Sequence, residues 1–129
     1  MTEKEIKQLI SSTVNETVAK LQAVGLLKDS SKSPYEKTEA LLRKYTELQK
    51  AQTPYAQRVV AEIDACLADA ANEPYVDVIR LYYFAGLKNA ACAKILVCGE
   101  RTARRYRVAL VQQFSARLAS DEFIRELLQ

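Results

Sequence analysis

An all-α fold, a helical bundle closed at its C-terminal end by a helix-turn-helix, follows from three observations on the sequence. Apolar residues recur at spacings of three and four along nearly the whole chain, the signature of amphipathic helices. Alternation of period two is missing, and turn clusters are too few for hairpins. Near the C-terminus a short apolar stretch, a three-residue break and a long periodic stretch with a basic start follow one another. With 129 residues, 49% of them hydrophobic, the chain has material for one core.

The first segment, about Glu3 to Leu27, carries Ile6, Ile10, Val14, Val18, Leu21 and Val24 on one stripe. Lys28 to Lys32 reads as a polar linker. Residues 1–28 therefore form a separable amphipathic helix, which either packs on its own body or mediates self-association into a homodimer.

Residues 33–72 read as supporting helices. Ser33-Pro34-Tyr35-Glu36, Thr53-Pro54-Tyr55 and Glu73-Pro74-Tyr75 all look like helix starts, because proline is favoured at the first helical position and the preceding residue can cap. Ser33 with Glu36 also forms a capping-box pattern. Tyr35, Leu41, Leu42, Tyr45 and Leu48 line the first helix, and Val59, Val60, Ile63 and Leu67 the second. A third helix, expected from Pro74 to a C-cap at Gly86, presents Val76, Ile79, Tyr83 and Phe84. Leu81 and Tyr82 widen its apolar arc, which suits the centre of a bundle.

Residues 74–129 hold the informative stretch. A short helix, about Lys88 to Leu96, turns Cys92, Ala93 and Leu96 inward. Val97-Cys98-Gly99 is a tight turn. A long helix runs from Glu100 to Leu118, about 28 Å at 1.5 Å per residue. A short last helix is expected around Asp121–Leu128. With Ala103 as the inward reference at about 100° per residue, Tyr106, Leu110, Phe114 and Leu118 fall on the core side. Arg101, Arg105, Val108 and Gln112 fall opposite, and Arg104 on the flank.

Charge is local. Net charge is only +3, yet between Lys88 and Arg107 stand Lys88, Lys94, Arg101, Arg104, Arg105 and Arg107 against the single acid Glu100. A basic patch on a near-neutral body is the footprint of a nucleic-acid surface. Short helix, turn and basic long helix are the pattern that places a recognition helix in the major groove of double-stranded DNA. Arg101, Arg105 and Thr102 are the expected base readers, Arg on guanine being the most frequent bidentate pairing. Lys88, Lys94, Arg104 and Arg107 are the expected phosphate contacts. Cations on a helix face are otherwise a solvated surface.

Other classes fit less well. The absence of histidine removes Ser-His and Cys-His nucleophile pairs, and the isolated glycines Gly25, Gly86 and Gly99 build no phosphate cradle. Cys66, Cys92 and Cys98 form no C-x-x-C pair, so neither a disulfide scaffold nor a zinc site is expected. No enzyme activity, metal or cofactor is expected. No run of eighteen apolar residues exists, so no membrane span is expected, and the charged start without an apolar h-region points to the cytoplasm.

The tract Asp77–Leu118 resembles the helix-turn-helix of sigma factor region 4. More closely, three tracts resemble the ArpU/RinA-type phage late-gene transcriptional regulators: Tyr35-Glu36-Lys37-Thr38, the step from Tyr83 to Gly86, and the run from Cys98 to Arg107. The resemblance spans residues 34–118. It implies a small phage or prophage regulator acting on packaging and lysis genes. It departs at Val97, where a glycine is usual, at Gly99 in place of a serine cap, and at Ala90 and Ala91 in place of acids. A small terminase-like DNA-packaging recognition subunit, or a module docking its basic helix on RNA polymerase, are the alternatives that share these features.

Overall fold

The computed structural model describes residues 2–6, 25 and 30–128. The stripe read over Ile10, Val14, Val18, Leu21 and Val24 lies outside the described residues. Ile6, at its start, is exposed in a helical stretch over residues 3–6.

Regular structure among the described residues is entirely helical. Helix α1 is Pro34–Arg43, α2 is Tyr45–Lys50 and α3 is Pro54–Asp69. A π-helical segment, Arg80–Phe84, precedes α4, Asn89–Leu96. The long helix α5 is Glu100–Leu118, and α6 is Asp121–Leu128.

Two of the three proline starts are helix starts. The Ser33 hydroxyl accepts from the Glu36 amide at 3.1 Å while the Glu36 carboxylate accepts from the Ser33 amide, a complete capping box. Thr53 caps α3 by accepting from the Ala56 amide at 3.1 Å. The third start fails. Glu73-Pro74-Tyr75 forms consecutive tight turns, Tyr75 adopts a left-handed φ of 60°, and helical structure begins only at Val78. The physical difference is the cap: serine and threonine reach the orphan amides of a first turn, whereas glutamate is a poor N-cap.

The segment that follows is wound more widely than an α-helix. The Ala85 amide reaches the Arg80 carbonyl at 2.9 Å, five residues back. Gly86, with φ of 73°, then reverses the chain so that the Leu87 amide closes on the Leu81 carbonyl. Space around Gly86 would admit a Cβ, so its backbone conformation is what calls for glycine. Phe84 stacks flat on Tyr45 of α2, ring centroids 4.0 Å apart.

Helix α5, rather than the segment after Pro74, is the centre of the bundle. It packs against α1, α3, α4 and α6. Its buried residues are Ala103, Arg107, Leu110, Val111, Phe114 and Leu118. They meet Leu41 and Leu42 of α1, Ile63 and Cys66 of α3, Cys92 and Ala93 of α4, and Phe123 and Leu127 of α6 in one core. At about 100° per residue this arc is centred some 30° from Ala103 toward Arg107. Tyr106 consequently lies at the edge of the core, half-buried, with its ring against Tyr75 at 5.1 Å.

At its C-terminal end α5 is tied down by charge. Arg117 pairs with Glu62 at 3.0 Å and with Asp69, and Arg58 bridges Glu62 at 2.7 Å and Glu126 at 2.5 Å. Burial raises the Glu62 carboxyl, but the hydrogen bond from Arg58 and the charge of Arg117 outweigh it and hold the group below the ordinary value of 4.5. In the unfolded chain this carboxyl therefore takes up a proton first. Its contribution to stability is full above pH 4.5 and is lost as the pH falls through the depressed folded value. Urea unfolding at pH 6 and pH 3 should show a smaller acid loss in Glu62→Gln than in the parent protein. Equal acid losses in the two proteins would contradict the assignment.

Candidate nucleic-acid interface

Helices α4 and α5 pack against each other across a turn that the sequence closes in an unusual way. The Cys98 amide reaches back to the Ala93 carbonyl at 3.0 Å, and the Val97 amide to the Lys94 carbonyl at 3.3 Å. This is a Schellman closure, which requires a left-handed residue between them, ordinarily glycine. Here it is Val97, with φ of 55° and ψ of 53°. Its side chain is 86% exposed, so burial offers little in return. Gly99 then enters α5 in an extended conformation without any side chain to cap the first amides.

The cations named from sequence divide into two sets. Lys88, Lys94, Arg101, Arg104 and Arg105 are all exposed. Lys88 stands at the entry of α4, Lys94 on its outer side, and the three arginines on the first two turns of α5. None of the five makes an ion pair among the described residues. Even Glu100, four residues before Arg104, does not pair with it. Thr102 is half-buried at the same end.

Arg107 corrects the sequence reading. It is 7% exposed and points into the core, so no phosphate can reach it. Its Nη1 donates to the Tyr83 hydroxyl at 3.1 Å and lies 3.6 Å from the Glu39 carboxylate. Tyr83 in turn donates to Glu39 at 2.6 Å, and Arg43 approaches the same carboxylate at 3.4 Å. The guanidinium also lies over the Tyr82 ring, 4.0 Å from its centroid. Burial opposes the Arg107 charge, but the hydrogen bond with Tyr83 and the surrounding tyrosines more than restore it, and the pKa stays above the ordinary arginine value. Burial and the bond to Glu39 push the Tyr83 phenol far up, and burial beside Glu39 raises Tyr35 as well.

Two consecutive tyrosines of the π-helical segment thus share one guanidinium: Tyr82 and Tyr83 both lie against Arg107, their own rings edge to face at 4.9 Å. One residue from each of the three resembling tracts, Tyr35, Tyr83 and Arg107, thus meets at one buried cluster. Glu39 and Tyr82 were not legible as its members. The available signal was angular: Arg107 lies about 40° from Ala103, inside the core arc, and a buried arginine demands an acid.

Among the described residues no three Cys, Asp or Glu side chains converge to hold a metal, and no helix is long and apolar enough to cross a membrane. Cys66, Cys92 and Cys98 are free thiols. No protein-family model, curated protein or solved structure matches the chain.

Two outcomes follow. Arg107→Ala removes the buried countercharge of Glu39, leaving it the Tyr83 hydroxyl and the exposed Arg43, opens a hole in the core, and should lower unfolding stability by about 2–4 kcal/mol in urea titration; a loss under about 0.5 kcal/mol would show the cluster to be energetically idle. Val97→Gly removes the cost of a β-branched residue in left-handed conformation, partly offset by a more flexible unfolded chain. It should raise stability by about 1 kcal/mol in the same measurement, and a lower stability would contradict the strain assigned to Val97.

Proposed function

We propose that α4, the turn and α5 form a helix-turn-helix that binds double-stranded DNA sequence-specifically, and that the protein is a transcriptional regulator. The observation that carries this reading is the five exposed cations, without an ion pair among the described residues, gathered around the start of a helix whose opposite face is core. A solvated helix face ordinarily intersperses acids with its bases, whereas a groove-binding face keeps its positive charge free for phosphates.

In this reading the first two turns of α5 enter the major groove. Arg105 lies nearly opposite the centre of the buried arc, and Arg101 is one turn earlier on the same side, so both reach base edges. Arg104 on the flank and Lys88 and Lys94 from α4 rest on phosphates. The uncapped amides of α5, with Thr102 beside them, offer donors to a further phosphate. With Arg107 withdrawn into the core, three to five phosphates are neutralised per protomer. The resemblance to phage late-gene regulators gives the expected genes, those of packaging and lysis.

Titration of duplex DNA at several salt concentrations tests the charge count. The logarithm of affinity should fall with the logarithm of salt at a slope of roughly −3 to −4.5. Arg105→Ala should leave the melting temperature nearly unchanged and weaken a selected site by about 1–3 kcal/mol, with little effect on random duplex. Salt-independent binding would remove the phosphate assignment. Equal weakening on both duplexes would make Arg105 a phosphate contact rather than a reader.

A further inference from the structure

The last turn of α4 and the turn that follows it hold two of the three large exposed hydrophobic side chains among the described residues, Ile95 in α4 at 57% and Val97 in the turn at 86% exposure. They stand two residues apart at the mouth of α5. Lys94 is adjacent, Arg101 lies four residues beyond Val97, and the uncapped amides of α5 follow Gly99. Val97 is moreover held in a conformation that a β-branched residue rarely adopts, while most of its side chain stays exposed.

The chemistry of a partner for this spot is constrained from two sides. The surrounding cations select a polyanion. The apolar pair requires that polyanion to carry isolated apolar points. Two side chains fall far short of the roughly 800 Å² per partner that a stable protein interface buries, so a second protein is poorly matched. Duplex DNA fits both conditions, because the thymine C5-methyl is the apolar group displayed among the hydrogen-bonding edges of the major groove. We infer that Ile95 and Val97 read thymine methyl groups at the edge of the contacted site, Val97 making the principal contact. This specificity rests on the DNA-binding reading above and adds an apolar element to the arginine contacts.

The test uses the full chain and a duplex enriched by it from a random-sequence pool. Each thymine is replaced in turn by uracil, which keeps the hydrogen-bonding edge and deletes only the methyl. At one or more positions the parent protein should lose about fourfold in affinity, the worth of one buried methyl group. Val97→Gly should bind the thymine duplex about five- to tenfold more weakly, although it folds more stably, and should be indifferent to uracil at that position. Ile95→Ala should show the same pattern with a smaller loss. The opposite signs of stability and affinity separate a lost contact from a damaged fold, and the cycle between protein and base isolates the methyl term. The inference is overturned if the enriched duplex lacks thymine. It is overturned equally if uracil has no effect anywhere, or if Val97→Gly weakens thymine and uracil duplexes alike. Unchanged duplex binding by Val97→Gly with lost binding to RNA polymerase would make the pair a protein contact instead. These results leave DNA binding itself standing. Failure to enrich any duplex overturns both.

Discussion

A single positive charge in the core sets the arrangement of the rest. Unpaired, a buried guanidinium would cost several kcal/mol, so the burial of Arg107 obliges the fold to bring it partners. Those partners come from distant parts of the chain. Glu39 lies on α1, 44 residues from Tyr83, and Tyr83 lies in the π-helical segment, 24 residues from Arg107. The hydrogen bonds are directional, so they fix the rotation of α5 about its own axis as well as its position. That rotation decides which side chains face out. With Arg107 pointed at Glu39, Arg105 is turned nearly diametrically away from the core and Arg101 with it. The exposed basic face and the buried arginine are two consequences of one constraint.

The backbone beside Arg107 is irregular. Two consecutive residues of the π-helical segment Arg80–Phe84, Tyr82 and Tyr83, both lie against the Arg107 guanidinium. Left-handed residues stand on either side, Tyr75 before the α-helical pair Val78 and Ile79, and Gly86 after Ala85. At Gly86 the residue type suits the conformation. At Tyr75 it does not, and the half-buried ring packed on Tyr106 is the compensation.

Much of this was legible in the sequence, and the parts that were not share a cause. The caps at Ser33 and Thr53, the span of α5 and the three-residue turn are local features, readable from the residues that make them. Glu73-Pro74 failed because proline alone does not start a helix without a residue able to cap it. Arg107 was misplaced by counting charge along the chain, which cannot separate a cation that faces solvent from one that faces the core. The helical angle could separate them, yet the identity of the acid could not be found that way. Glu39 becomes a partner only through the packing of α1 on α5, a long-range contact that no spacing rule encodes. The π-helical winding of Arg80–Phe84 likewise follows from no spacing rule.

The two ends of α5 differ in a way that bears on the proposed function. Toward its C-terminus Arg117 is neutralised by Glu62 and Asp69, so charge there serves the fold. At its N-terminus Arg101 and Arg105 are one turn apart with no acid between them. Like charges at that spacing cost a helix a few tenths of a kcal/mol. Val97, immediately before, adds the cost of a left-handed β-branched residue, and Gly99 leaves the first amides uncapped. Three departures from what would stabilise the isolated chain thus coincide within about ten residues, whereas further along α5 Arg117 is paired and Leu110, Val111, Phe114 and Leu118 are buried. Local choices that run against folding are retained where something outside the fold rewards them, and the polyanion of the proposed function would supply what each lacks: countercharge for the arginines, acceptors for the amides and an apolar surface for the valine.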